Sequence, residues 1–179
     1  MTDDEFKSLE NYDFSQTRLQ QVKDLFVFCC YTGLAFKEMS NLKPEHIVNG
    51  FDGNKWIKMN REKTSKPLMI PLFPKALGMI NKYQNEEILL PVISNQRFNS
   101  YLKEIADIVG LKKNLTHHIA RKTFASTVLL FNDVPMEIVS ELLGHSKIST
   151  TQDYYAKIVN KKLSETMKGL SERLNEKLK

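Results

Sequence analysis

The sequence predicts a mainly α-helical fold carrying one small antiparallel β-sheet, an α+β arrangement. Apolar residues recur at three- and four-residue steps through most of the 179 residues, the signature of helices that bury one stripe. The stretch from residue 49 to residue 72 breaks that rhythm, with turn dipeptides bracketing two short strand patterns. A chain of this length, 41% hydrophobic and 26% charged, fills one core but not two ordinary ones, so residues 1–179 are expected to form a single domain.

The elements follow in order. From Arg18 to Tyr31 the positions Leu19, Val22, Leu25, Phe26, Cys29 and Cys30 keep helical spacing, and Thr32-Gly33 ends the run. A short helical stretch from Phe36 to Asn41 leads to Pro44, before which the chain must leave the helical region. Asn49-Gly50 and Asp52-Gly53 are turn signals ahead of the strand pattern Trp56–Asn60. Thr64-Ser65-Lys66-Pro67 turns the chain into a second strand, Leu68–Leu72, giving a hairpin or a three-stranded sheet. Helical periodicity then covers Ala76–Tyr83, Gln96–Val109, Thr116–Phe131 and Met136–Leu143, with Pro91, Gly110, Pro135 and Gly144 as breaks. From about residue 157 to 179 an amphipathic helix is expected, with Leu163, Met167, Leu170, Leu174 and Leu178 in a stripe. That stripe needs a covering surface, either its own domain or a neighbouring protomer.

Composition narrows the function classes. No run of about 18 apolar residues occurs, and the acidic start Asp3-Asp4-Glu5 is unlike a signal peptide, so a cytoplasmic protein without membrane contact is expected. Cys29 and Cys30 are adjacent within an apolar run, where a disulfide would be strained, and are read as buried reduced thiols. The surplus of 26 Lys and Arg over 21 Asp and Glu gives a net charge of +5 and suits a polyanionic partner without requiring one.

Reactive side-chain types concentrate from residue 117 to residue 155: His117, His118, Arg121, Lys122, His145, Tyr154 and Tyr155. His118 and Arg121 lie three apart on one expected helix and share a face. His145 follows Gly144 at a helix end. A His, an Arg and a Tyr together can bind a phosphate and attack it. A metal site fits less well, for there is no His-x-x-x-His pair and no cysteine ligand pattern, and neither metal nor cofactor is expected. Spacing alone leaves open that these are unrelated surface residues.

Three ordered boxes resemble those of the tyrosine recombinase family: His118-Ile119-Ala120-Arg121, Leu143-Gly144-His145-Ser146, and Thr150 to Ile158 with the paired tyrosines. Tyr31-Thr32-Gly33-Leu34 with Glu38 resembles the family's first arginine box, and Lys63-Thr64 followed by Ile70-Pro71-Leu72 its lysine hairpin. The resemblance runs from about residue 2 to residue 160 and covers only the C-terminal catalytic domain; the family's N-terminal DNA-clamping domain is expected to be absent from this chain. It implies the tyrosine recombinase catalytic-domain fold and a site-specific recombinase or integrase of a mobile element, a tetramer on double-stranded DNA and a monomer without it. In the implied chemistry a tyrosine attacks the scissile phosphate to leave a 3′-phosphotyrosine, Arg121, His118 and His145 meet the developing charge, and Lys63 protonates the leaving oxygen. A solvated hairpin lysine is the alternative for Lys63, and Lys66 is its rival. Within the same fold a type IB topoisomerase-like activity shares the intermediate; from other classes come a DNA-binding module that has lost catalysis and a helix-turn-helix repressor.

One position departs from the family pattern. Where the family reads Thr-Gly-Leu-Arg, this chain has Thr32-Gly33-Leu34-Ala35, so the first arginine is absent. Glu38 keeps the supporting acidic position and is read as orienting a cation or as a surface carboxylate. Strand alternation would put Arg61 on the same face as Lys63, which makes Arg61 a candidate for the missing charge; a backbone-bound or solvated arginine is the alternative.

Tyr154 and Tyr155 stand nine and ten residues beyond His145, and both spacings occur in the family. The run Tyr155-Ala156-Lys157-Ile158 matches the family's nucleophile context better than Tyr154-Tyr155-Ala156, which favours Tyr155. On a suicide DNA substrate, Tyr154→Phe should still form the covalent adduct and Tyr155→Phe should not; the converse assigns Tyr154.

Overall fold

The computed structural model describes residues 1–63, 65–85 and 88–144, together with positions 152, 164, 167, 168, 170, 171 and 173 of the tail. Helix α1 (Asp3–Glu10) starts at a capping box: the Thr2 hydroxyl accepts from the Glu5 amide at 3.2 Å, and the Glu5 carboxylate accepts from the Thr2 amide at 2.8 Å. The sequence reading took its acidic first turn only as evidence against a signal peptide, although that turn complements the helix dipole. Phe6 and Leu9 bury its inner face.

Helix α2 (Thr17–Thr32) is the axis of the domain. Every residue from Val22 to Cys30 is buried, because α1, α4 (Pro74–Tyr83), α5 (Asn95–Val109) and α6 (His117–Thr123) pack around it. Its two buried charges are satisfied. Lys23 donates to the carbonyls of Glu10 and Tyr12 at 3.2 and 3.0 Å, and Asp24 accepts from Lys82 at 2.7 Å, Tyr83 at 2.6 Å and Gln20 at 3.0 Å. Cys29 and Cys30 are free, buried thiols, and burial pushes both well above the ordinary thiol range. Gly33 closes α2 with φ +62°, its amide bonded to the Cys29 carbonyl at 2.9 Å.

After α3 (Phe36–Ser40) and a single 3₁₀ turn, the three-stranded antiparallel sheet forms in the order β1 (Ile47–Asn49), β2 (Lys55–Asn60), β3 (Pro67–Pro71). Ile57 pairs with Ile47 on one side and with Ile70 on the other, so one face of the sheet closes on the core while Lys58 and Met69 face outward. Helices α4 (Pro74–Tyr83) and α5 (Asn95–Val109) follow, α5 capped by Ser94, whose hydroxyl accepts from the Arg97 amide at 3.3 Å.

The largest departure from expectation lies between residues 116 and 131, read as one helix. The α-helix α6 (His117–Thr123) gives way to a π-helical turn (Phe124–Leu129) and a 3₁₀ turn (Leu130–Asn132) that ends with Asp133 at φ +62°. Side chains here take carbonyls that an α-helix would use: Ser126 donates to the Lys122 carbonyl at 2.8 Å, and Asn132 to those of Thr127 and Val128 at 3.2 and 3.1 Å. Helix α7 (Met136–Leu143) packs on this turn through Val139 and Leu143, forming a small second core with Phe124, Ala125, Leu129 and Leu130. In the tail, positions 164, 167, 168, 170, 171 and 173 are helical, and the stripe residues Met167 and Leu170 are exposed. The remainder of the expected tail helix lies outside the described residues.

Phe98 is fully buried on α5 and meets Phe36 at 5.5 Å and His117 at 6.3 Å between ring centroids, joining three elements. Phe98→Ala should therefore cost about 3–5 kcal/mol of unfolding free energy, read from the shift in denaturant midpoint.

Candidate active site

Three chain segments end at one place. The C-termini of α2 and α7 present carbonyls with no intrahelical partner, and α6 sends a guanidinium between them. Arg121 donates to the Gly33 carbonyl at 2.5 Å through Nη1 and to the Leu143 carbonyl through Nη2. Both acceptors carry the partial negative charge of a helix end, which orients the half-buried cation. Gly33 is required at its position, because an added Cβ would stand 2.3 Å from the Phe124 ring.

Arg61 arrives from the hairpin. It is 5% exposed and forms a buried ion pair with Glu38 at 2.5 Å, while its Nη2 donates to the Leu142 carbonyl at 2.8 Å. Arg61 and Arg121 thus grip adjacent carbonyls of the last turn of α7, immediately before Gly144. Burial pulls the Arg61 pKa down and the Glu38 carboxylate opposes that, leaving a guanidinium that stays charged. Glu38 also accepts from the Ala35 amide at 2.7 Å and the Glu62 amide at 3.4 Å, so it is no surface carboxylate: it is buried and orients Arg61.

The route by which Arg61 reaches the site differs from strand alternation. Strand β2 ends at Asn60, and beyond it the Arg61 amide donates to the Lys66 carbonyl and the Ser65 amide to the Arg61 carbonyl, both at 2.8 Å, with Ser65 at φ +53°. Arg61 is buried and Lys63 exposed, so the two do not share a face. The structure brings Arg61, Arg121 and Glu38 together and leaves Lys63 and Lys66 at the exposed turn. His145, Tyr154 and Tyr155 lie outside the described residues.

On α6 the two adjacent histidines have different environments. His118 is exposed, and partial desolvation, then the cationic Lys122 and Arg121, hold its pKa below the ordinary range. His117 points inward, with Nε2–H donating to the Leu34 carbonyl at 3.0 Å and its ring edge-on to Phe36. Burial drives its pKa down to about 4, the bond to Leu34 opposing and Arg121 reinforcing the shift. His117 therefore ties the start of α6 to the loop after Gly33. Sequence reading placed it in the reactive cluster without a role. The carbonyls of Gly33, Leu142 and Leu143 could not be found by residue type; the only sequence sign of them was a glycine after each helical run.

Among the described residues no group of three or more His, Cys, Asp or Glu could hold a metal ion, and no helix is long and apolar enough to cross a membrane.

The sequence profile described as "Phage integrase family" matches residues 1–161. The chain belongs to the phage integrase family. A curated relative, the tyrosine recombinase XerD of Listeria monocytogenes serotype 4b (strain F2365), is 35% identical over 136 residues, covering 69% of this chain and 46% of the relative. The chain thus spans about half the length of the curated relatives it matches. Among solved structures, the XerH site-specific recombinase bound to palindromic difH substrate superposes with a TM-score of 0.70 at 18% identity, covering 93% of this chain and 52% of that one. The catalytic domain of bacteriophage HP1 integrase gives 0.66 at 20% identity, covering 94% and 92%. The phage integrase fold expected from the sequence, mostly helical with a small three-stranded sheet, is borne out, as is the tyrosine recombinase resemblance.

Because the folded-state pKa of His117 lies below its unfolded value, the unfolded chain binds the proton first. The stabilisation from neutral His117 is complete above about pH 6.5 and is lost as pH falls from there toward about 4. His117→Gln keeps a donor for Leu34 and cannot titrate, so its melting temperature should fall less than wild type across that window in parallel thermal melts.

Proposed function

We propose that this chain is the catalytic domain of a site-specific DNA recombinase, an integrase of a mobile element that cuts and rejoins double-stranded DNA through a 3′-phosphotyrosine. The observation that carries the reading is the pair Arg61 and Arg121 on the adjacent carbonyls of Leu142 and Leu143 at the end of α7, where the Leu-Gly-His box begins. Membership of the phage integrase family, and relatives named tyrosine recombinases, support the same reaction class.

In this reading the two guanidiniums clamp the non-bridging oxygens of the scissile phosphate, Arg61 standing in for the arginine that Ala35 lacks. A planar fork matches a phosphate in a way an ammonium does not. Tyr155, with Tyr154 as the alternative, gives up its phenolic proton and forms the new O–P bond as the bond to the 5′-oxygen breaks. Lys63, exposed on the hairpin turn and able to reach DNA laid over the site, supplies the proton to that leaving oxygen. His118 and His145 donate hydrogen bonds to the phosphorane. The 5′-hydroxyl of the second strand then attacks the phosphotyrosine, restoring the tyrosine and the number of phosphodiester bonds, so no ATP, metal or cofactor enters. Pairing of two duplexes calls for a tetramer on DNA. A DNA-binding module without catalysis is disfavoured because Arg61 supplies the very charge whose loss at residue 35 suggested it.

The test is single-turnover cleavage of a suicide substrate at saturating DNA. Arg121→Ala should abolish the protease-sensitive adduct and keep most DNA affinity. Arg61→Ala should slow its formation by on the order of a hundredfold, matching loss of a contact worth about 3 kcal/mol in the transition state. Rescue of Arg61→Ala by Ala35→Arg would show one charge supplied from two positions. A wild-type chain that binds DNA and forms no adduct would leave only the binding module.

A further inference from the structure

Arg61 fits its place because residue 144 has no side chain. Gly144 ends α7 at φ +61°, and a Cβ added there would stand 2.7 Å from Nε of Arg61, 3.3 Å from its Cγ and 3.4 Å from its Cδ. The arginine side chain therefore passes across the bare α-carbon of Gly144. It is fixed at the far end by Glu38 at 2.5 Å and Leu142 at 2.8 Å, so it cannot swing away without breaking a buried ion pair. The Nε that faces Gly144 is buried and without a partner among the described residues, so nothing polar on that side draws the stem elsewhere.

We infer that Gly144 is a positioning residue for Arg61: its missing side chain is the space that lets an arginine from the hairpin, and not from residue 35, occupy the site. The inference rests on the proposed catalytic role of Arg61. It gives the glycine of the Leu-Gly-His box a steric duty toward a second segment of the chain, beyond turning the backbone after α7. A methyl group at residue 144 would push on Nε and the aliphatic stem, and the pair with Glu38 would have to open or shift. Even a small displacement of a charge preorganised for the transition state lowers the rate while leaving most DNA binding intact.

A double-mutant cycle separates this duty from the ordinary cost of a side chain at positive φ, because that strain is common to both backgrounds and cancels. Gly144→Ala, Arg61→Ala and the double variant are compared with wild type in single-turnover cleavage at saturating DNA, with DNA affinity and thermal melting measured alongside. Expected is a slowing of at least about tenfold by Gly144→Ala in the wild-type background and less than about threefold in Arg61→Ala, at unchanged DNA affinity. The melting temperature should fall by about 4 °C more in the first background than in the second. Gly144→Asn, which tolerates positive φ better than alanine, repeats the cycle if the alanine variant does not fold. Equal slowing in both backgrounds, with Arg61→Ala itself slow, would overturn the inference and leave Gly144 acting through the turn to His145. An Arg61→Ala variant that cleaves at the wild-type rate would instead overturn the catalytic reading of Arg61, and the positioning role with it.

Discussion

The buried ion pair between Glu38 and Arg61 is the interaction on which the architecture of the site depends. It joins α3 to the β2–β3 turn, and through the bond from Arg61 to Leu142 it reaches the end of α7. Taking both charges out of water is costly, and such a pair persists only when its remaining hydrogen-bonding capacity is used. Glu38 meets that condition with the amides of Ala35 and Glu62, and Arg61 with one carbonyl; Nε alone among its nitrogens is buried without a partner. Removing either member would strand the other charge in the interior, a change that in general costs about 3–5 kcal/mol.

Around that pair, helix ends do the electrostatic work. Gly33, Leu142 and Leu143 offer carbonyls that the helices themselves cannot use, and both arginines are fastened to them. Carbonyl dipoles orient a guanidinium without cancelling its charge. Fixed dipoles of this kind hold a guanidinium in one orientation, so that it needs no reorganisation to meet an anion.

Ala35 and Arg61 make the same point from the family side. The chain belongs to the phage integrase family yet lacks the arginine its first box leads one to expect, while the acidic residue of that box remains and is buried. The carboxylate has an arginine to hold; it comes from the hairpin. In this chain the charge beside Glu38 is carried by the β2–β3 hairpin and not by residue 35.

Much of this was legible in the residues. Periodicity located α2, α4, α5 and α7 to within a residue or two, because those helices bury a continuous stripe against one core. Spacing put His118 and Arg121 on one helix, and the order of the boxes gave the family. Local chemistry was legible less fully: the π-helical turn that follows α6 is accompanied by bonds from Ser126 and Asn132 to backbone carbonyls, which apolar periodicity does not register. Strand alternation put Arg61 on the face of Lys63, whereas the strand stops at Asn60 and the arginine is buried beyond it while Lys63 is exposed. The sequence by itself determined α2, α4, α5, α7 and the β2–β3 hairpin, and which charged groups are available, since these follow from local patterns. Only the tertiary structure decided that Arg61 and not Lys63 joins Arg121, that His117 faces inward, and that Gly144 is the space Arg61 crosses, because each depends on contacts between segments from 22 to 88 residues apart.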